Sequence, residues 1–107
     1  MAITSCTISG NIKTPDNQAL EDVTVKAYPT RPFTHADGTL IAAYQVSTTT
    51  DSSGDWALTL VETATVSKTL TIVIEYPTGG TEFRRQEYTV TVPNQASANF
   101  SDLITGQ

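Results

Sequence analysis

The sequence predicts an all-β fold: seven short strands in a two-sheet sandwich, forming a single domain over residues 1–107. Three observations carry that expectation. Twenty of the 107 residues are threonine, and β-branched side chains, stiff at χ1, suit a pleated strand better than a helix. Apolar residues recur at every second position in short runs. Clusters of Pro, Gly, Asn and Asp separate those runs, as turns require.

The first run, Cys6 to Lys13, places Cys6, Ile8, Gly10 and Ile12 on one face and ends in the turn cluster Thr14 to Gln18. The second, Asp22 to Tyr28, turns Val23, Val25 and Ala27 inward and Thr24 and Lys26 outward. Pro29 to Thr39 reads as a long connection with two prolines and Asp37-Gly38. A third strand, Leu40 to Thr49, alternates Leu40, Ala42, Tyr44 and Val46 against Ile41, Ala43, Gln45 and Ser47. The fourth shares Trp56, Leu58 and Leu60 on one face. Glu62 to Ser67 connects it to a fifth, marked by Leu70, Ile72, Ile74 and Tyr76 and closed by the turn Pro77-Thr78-Gly79-Gly80. The sixth runs from Glu82 to Val92 with Tyr88, Val90 and Val92 in register, and a short seventh lies near Ala98 to Leu103. Ile104 to Gln107 reads as a loose end.

Charge and composition exclude several functions. The net charge is −5 with six basic residues, of which Arg84-Arg85 is the one adjacent pair, so the basic stripe that nucleic-acid binding needs is missing. No apolar run approaches the ~20 residues of a membrane span, and the first residues lack the charged and apolar regions of a signal peptide. The chain is expected to be made in the cytoplasm. Cys6 is the single cysteine, which rules out an intrachain disulfide, and it sits in a strand-like run without neighbouring cations to activate its thiol. One histidine, His35, falls short of a zinc ligand set. No cofactor or metal is expected.

The segment most like chemistry is Thr48 to Leu60, TTTDSSGDWALTL. Asp51 and Asp55 offer two carboxylates where calcium wants six to eight oxygens. As a turn the segment needs only local physics: Asp51 accepts from amides ahead of it, and Gly54 takes a positive φ. Alternation points Asp55 to water beside inward Trp56, which argues against an acid–base pair.

Two segments taken together resemble a family. Ile8-Ser9-Gly10-Asn11-Ile12 followed by Pro15 to Val25, and then Thr50-Asp51-Ser52-Ser53-Gly54-Asp55-Trp56, are similar to the carboxypeptidase regulatory-like domains. That resemblance implies the transthyretin-like, Greek-key sandwich and covers about the first sixty residues. The family's domain is an accessory module, so it implies little about activity. Val92 to Leu103 also resembles the ends of small accessory domains in tailed-phage virion proteins. The combined expectation is a non-catalytic structural or interaction protein of a phage particle, decorating the capsid or sitting in the neck or tail. Its partners would be other virion proteins and, in the particle, further copies of itself.

Arg31, Phe33 and His35, in the long connection, form the candidate partner-contact loop, since arginine and aromatics are enriched at interface hot spots. The competing reading folds Phe33 back over one end of the sandwich. An internal Lys–Asn isopeptide bond, as in pilin-type sandwiches, would use Lys13, Asn99 and Glu75, but parity turns all three to water. Arg84-Arg85 with Glu82 and Glu87 reads as a solvated strand face. The alternative function is a carbohydrate- or cell-surface-binding module, for which Phe33, Tyr44, Tyr76 and Tyr88 are the aromatic candidates. A transthyretin-like hydrolase would need more histidines than His35.

Overall fold

The computed structural model describes residues 4–77 and 82–104. Its strands follow in chain order as β1 (Ser5–Asn11), β2 (Thr24–Tyr28), β3 (Phe33–Thr34), β4 (Leu40–Ile41) and β5 (Val46–Thr49). β6 (Asp55–Val61), β7 (Leu70–Pro77), β8 (Phe83–Val90) and β9 (Ser97–Asn99) complete the set. A 3-10 turn spans Ala64–Val66, and one helical turn, α1, spans Phe100–Leu103. The strands make a three-stranded sheet ordered β6-β1-β9, a four-stranded sheet ordered β5-β2-β7-β8, and the small pair β3-β4. All pairings are antiparallel except β1 with β9.

Register explains the core. Cys6 lies opposite Leu60, Ile8 opposite Leu58 and Gly10 opposite Trp56, so period two puts all six on one face of the first sheet. In the second sheet Val25 lies opposite Ile74, Ala27 opposite Ile72, and Leu70 opposite Val90. The two faces share one buried cluster, which Phe100 and Val92 join from outside the ladders. Each fully buried aliphatic side chain contributes roughly 1.5–3 kcal/mol.

One residue of the opposite face is sealed too. Val73 is fully buried between its neighbours Lys26 and Glu87. The ion pairs Lys26 Nζ–Glu75 Oε1 at 2.7 Å and Arg85 Nη1–Glu87 Oε1 at 2.5 Å lay their aliphatic stems on that side of the sheet.

The chain departs from the sequence expectation in three places. Pro29 to Thr39 is not an unpaired connection, because β3 within it pairs with β4 around a turn closed by His35 N–H to Thr39 O at 2.8 Å. Leu40 to Thr49 is consequently not one strand. Pairing with β3 draws Leu40-Ile41 out of line, and the chain rejoins β2 only at Val46. Leu40, Tyr44 and Val46 therefore lie open, at 65%, 77% and 41% exposure. The third departure is at Ala98 to Leu103, where strand gives way to α1 at Phe100. There the Phe100 ring meets Trp56 and Tyr88 edge-on, each at a centroid distance of 5.2 Å. Residues 78–80 of the expected Pro77 to Gly80 turn lie outside the described residues, as do residues 105–107; Ile104 packs against the core.

Candidate functional site

The segment that looked like chemistry is a bend. Asp51 Oδ1 accepts the amide N–H groups of Ser53 at 2.9 Å and Asp55 at 3.1 Å. Gly54 N–H donates to Asp51 O at 2.9 Å with φ at +79°. Thr50 ties the bend to β2: its buried hydroxyl donates to Leu20 O at 2.6 Å and accepts from Val23 N–H at 2.9 Å. Asp55 is exposed and accepts from Asn11 Nδ2 at 2.6 Å. Among the described residues no group of three or more His, Cys, Asp or Glu side chains is placed to hold a metal ion.

The three loop candidates do not share a surface. Arg31 is exposed, whereas Phe33 and His35 are 8% and 5% exposed and turn into the end of the fold. Phe33 folds back beside the core because β3 pairs with β4 and period two puts Phe33 and Ile41 inward together. What holds His35 left no pattern in the sequence. Its Nδ1 accepts Ala36 N–H at 2.8 Å, which places the ring proton on Nε2. That Nε2 lies 2.8 Å from Glu62 O and 3.1 Å from Glu62 Oε1. The Thr65 hydroxyl and amide both donate to the Glu62 carboxylate. The Thr65 hydroxyl foremost, with backbone N–H groups and His35, holds Glu62 below the usual carboxylate range against the cost of its burial. His35 and Glu62 thus latch the β3–β4 hairpin to the end of β6, a structural role.

Cys6 is fully buried, and burial pushes its thiol up. Lys13 and Asn99 are exposed, and Glu75 is engaged by Lys26.

A cleft of about 1410 Å³ opens between the sheets, at the end away from the His35 latch. The paired strands β7 and β8 form one wall, where Tyr76 faces Arg84 and Ile74 faces Gln86 across the ladder. Lys13 and Leu20, from the segment after β1, form the other wall, while Trp56, Tyr88 and Phe100 line the deep side. Arg84 and Arg85 are both exposed, as expected, but they point to opposite faces of β8. Arg84 lines the cleft, while Arg85 lies on the opposite face, bonded to Glu87 and to the Tyr28 hydroxyl at 3.1 Å. Parity along β8 (Arg84, Gln86, Tyr88) was the signal in the sequence that separates the two arginines.

Trp56 sets the cleft floor. Its indole lies flat on Gly10, where a Cβ would come within 2.7 Å of Nε1 and 2.8 Å of Cε2. The residue is 4% exposed. Among the described residues its Nε1–H has no acceptor, and no fully buried side-chain nitrogen or oxygen lacks a partner, so this N–H opens onto the cleft.

A second surface is the free edge of β5. From Leu40 to Thr49 the chain carries no charged side chain, and β5 is the outermost strand of its sheet.

Compared with known protein families and curated proteins, the chain matches no family model and no curated sequence.

Proposed function

We propose that this protein is a non-catalytic interaction module that docks onto its partner along the β5 edge. The observation that carries this reading is the uncharged stretch Leu40 to Thr49, with Leu40, Tyr44 and Val46 exposed beside an edge strand. An uncharged, partly apolar edge is a template for strand addition, and proteins that do not use such an edge blunt it with charge, proline or a bulge.

The assembly is proposed to be a tailed-phage particle, with the chain a capsid, neck or tail component held by other virion proteins. Support comes from the resemblance of Ile8 to Val25 and Thr50 to Trp56 to carboxypeptidase regulatory-like domains, and of Val92 to Leu103 to virion accessory domains. A four-stranded and a three-stranded sheet sharing one core are consistent with a transthyretin-like sandwich. In a symmetric particle a modest interface per copy suffices, because symmetry multiplies it.

The test is to purify the particles encoded alongside this chain and look for it by mass spectrometry and electron microscopy. Its absence from them would sink the virion reading. Val46→Lys, which adds a charge at an exposed edge position, is expected to leave the fold intact and to reduce incorporation at least several-fold. Unchanged incorporation would remove the β5 edge from the interface.

A further inference from the structure

We infer that the cleft between the β7–β8 hairpin and the segment after β1 is a binding site for an anionic oligosaccharide, one bearing carboxylated sugars. The first argument is an excess of unpartnered donors. Among the described residues, the side-chain polar groups of Lys13, Tyr76, Arg84, Gln86 and Tyr88 have no hydrogen-bond or ion-pair partner in the protein, and all five line this cleft. The Trp56 indole N–H joins them from a side chain that is otherwise buried. A polyhydroxylated ligand can satisfy such a set. Side-chain amides, guanidinium and N–H groups donate to ring and hydroxyl oxygens, and the tyrosine hydroxyls both donate and accept.

The second argument is geometric. Tyr88, Gln86 and Arg84 follow one another on a single face of β8, with Tyr76 beside Arg84. At about 3.4 Å per residue they lay a ring, an amide and a cation along roughly 14 Å of wall. Aromatic faces alternating with polar groups suit sugar rings, which present C–H faces flanked by hydroxyls.

The third is charge. The chain carries eleven acidic and six basic residues, yet two cations with no ion-pair partner among the described residues, Lys13 and Arg84, line this cleft, and Asp55, the acidic residue among its described lining residues, is held by Asn11. Lys13 follows β1 of one sheet and Arg84 lies on β8 of the other, which matches charges distributed along a ligand and not one compact phosphate. A peptide adding as a strand is disfavoured. β1 and β7 are already paired on both sides, and the edge strand β8 carries Arg84, Arg85 and Glu87, which discourage strand addition.

Trp56 is the single tryptophan and reports on its own site. Its emission would be titrated with tetragalacturonate, a hyaluronan tetrasaccharide and sialyllactose, and in parallel with cellotetraose, lactose and AMP. At least one acidic sugar is expected to saturate a change in emission with Kd below about 1 mM, and to bind about tenfold more tightly than the uncharged sugars. Arg84→Gln and Lys13→Gln, both at exposed positions, should each weaken it about tenfold. Val46→Lys, on the far edge of the sheet, should leave it unchanged, which separates this site from the proposed docking edge. The inference is overturned if no acidic sugar titrates, if the uncharged sugars or AMP bind as tightly, or if Arg84→Gln binds like the parent with its fold verified by circular dichroism.

Discussion

Substituting Gly10 by alanine sets two effects of opposite sign against each other, and the structure says which wins. A glycine inside a strand costs roughly 0.5–1 kcal/mol relative to alanine, so the change would stabilise an open position. Here the new Cβ would stand 2.7, 2.8 and 2.9 Å from three atoms of the Trp56 indole. Carbon contacts settle near 3.5–4.0 Å, so the ring must retreat by about 1 Å. Retreat is resisted by the Phe100 ring, packed edge-on at a centroid distance of 5.2 Å. Overpacking of this kind costs about 1–3 kcal/mol, which leaves a net loss of roughly 1–2 kcal/mol after the backbone gain. For a domain of this size that lowers Tm by some 5–10 °C. Urea denaturation followed by Trp56 fluorescence measures it, and the native emission should also move to longer wavelength as the indole swings into the cleft. A variant as stable as the parent, with unshifted emission, would refute the account of how Gly10 seats the tryptophan.

Gly54→Ala should cost more, because the obstacle is backbone. Its Cβ would lie 2.4 Å from Ile12 O at φ +79°, so a loss of roughly 3 kcal/mol in urea unfolding is expected. Acid should loosen the His35 latch. The Glu62 carboxyl sits below its ordinary value of 4.5, so its contribution to stability is fully present above that pH and disappears as pH falls through the lower, folded value. Thr65→Val removes the hydroxyl that contributes most to this shift, and should move the acid-unfolding midpoint, read by circular dichroism, to higher pH; an unmoved midpoint would put the acid response elsewhere.

What the sequence made legible follows from what period two can encode. β1, β2, β6 and β7 each bury one face against the same core, so Ile8, Val25, Leu58 and Ile72 announced themselves by alternation, as did Val90 at the end of β8. The bend at Asp51 and Gly54 was legible too, because the bonds that close the turn itself, from Ser53, Gly54 and Asp55 to Asp51, are local. β3 and β4 were not, since two-residue strands are too short to carry a period. Leu40 to Val46 misled for the opposite reason: it alternates cleanly, but alternation does not reveal whether a second layer covers the apolar side. The cleft was out of reach because Gly10, Trp56, Tyr88 and Phe100 meet only through register and the turn into α1. Phe33 and His35 were read as part of a contact loop, and both are buried instead of displayed.

The two proposed surfaces belong to one design because the edges of the four-stranded sheet differ. β8 carries Arg84, Arg85 and Glu87 along its length, and charge on an edge strand discourages the addition of another chain. β5 carries none. A partner that adds to this sheet is therefore directed to β5, and the order β5-β2-β7-β8 sets that contact about 14 Å, three strand spacings, from β8. Residues that far apart with no shared partners act nearly independently. Docking along β5 would leave the opposite edge strand, β8, with Arg84, facing away from the assembly. In that arrangement an assembly contact and a sugar contact do not compete, and a copy held in a particle would keep its cleft open to whatever the particle meets.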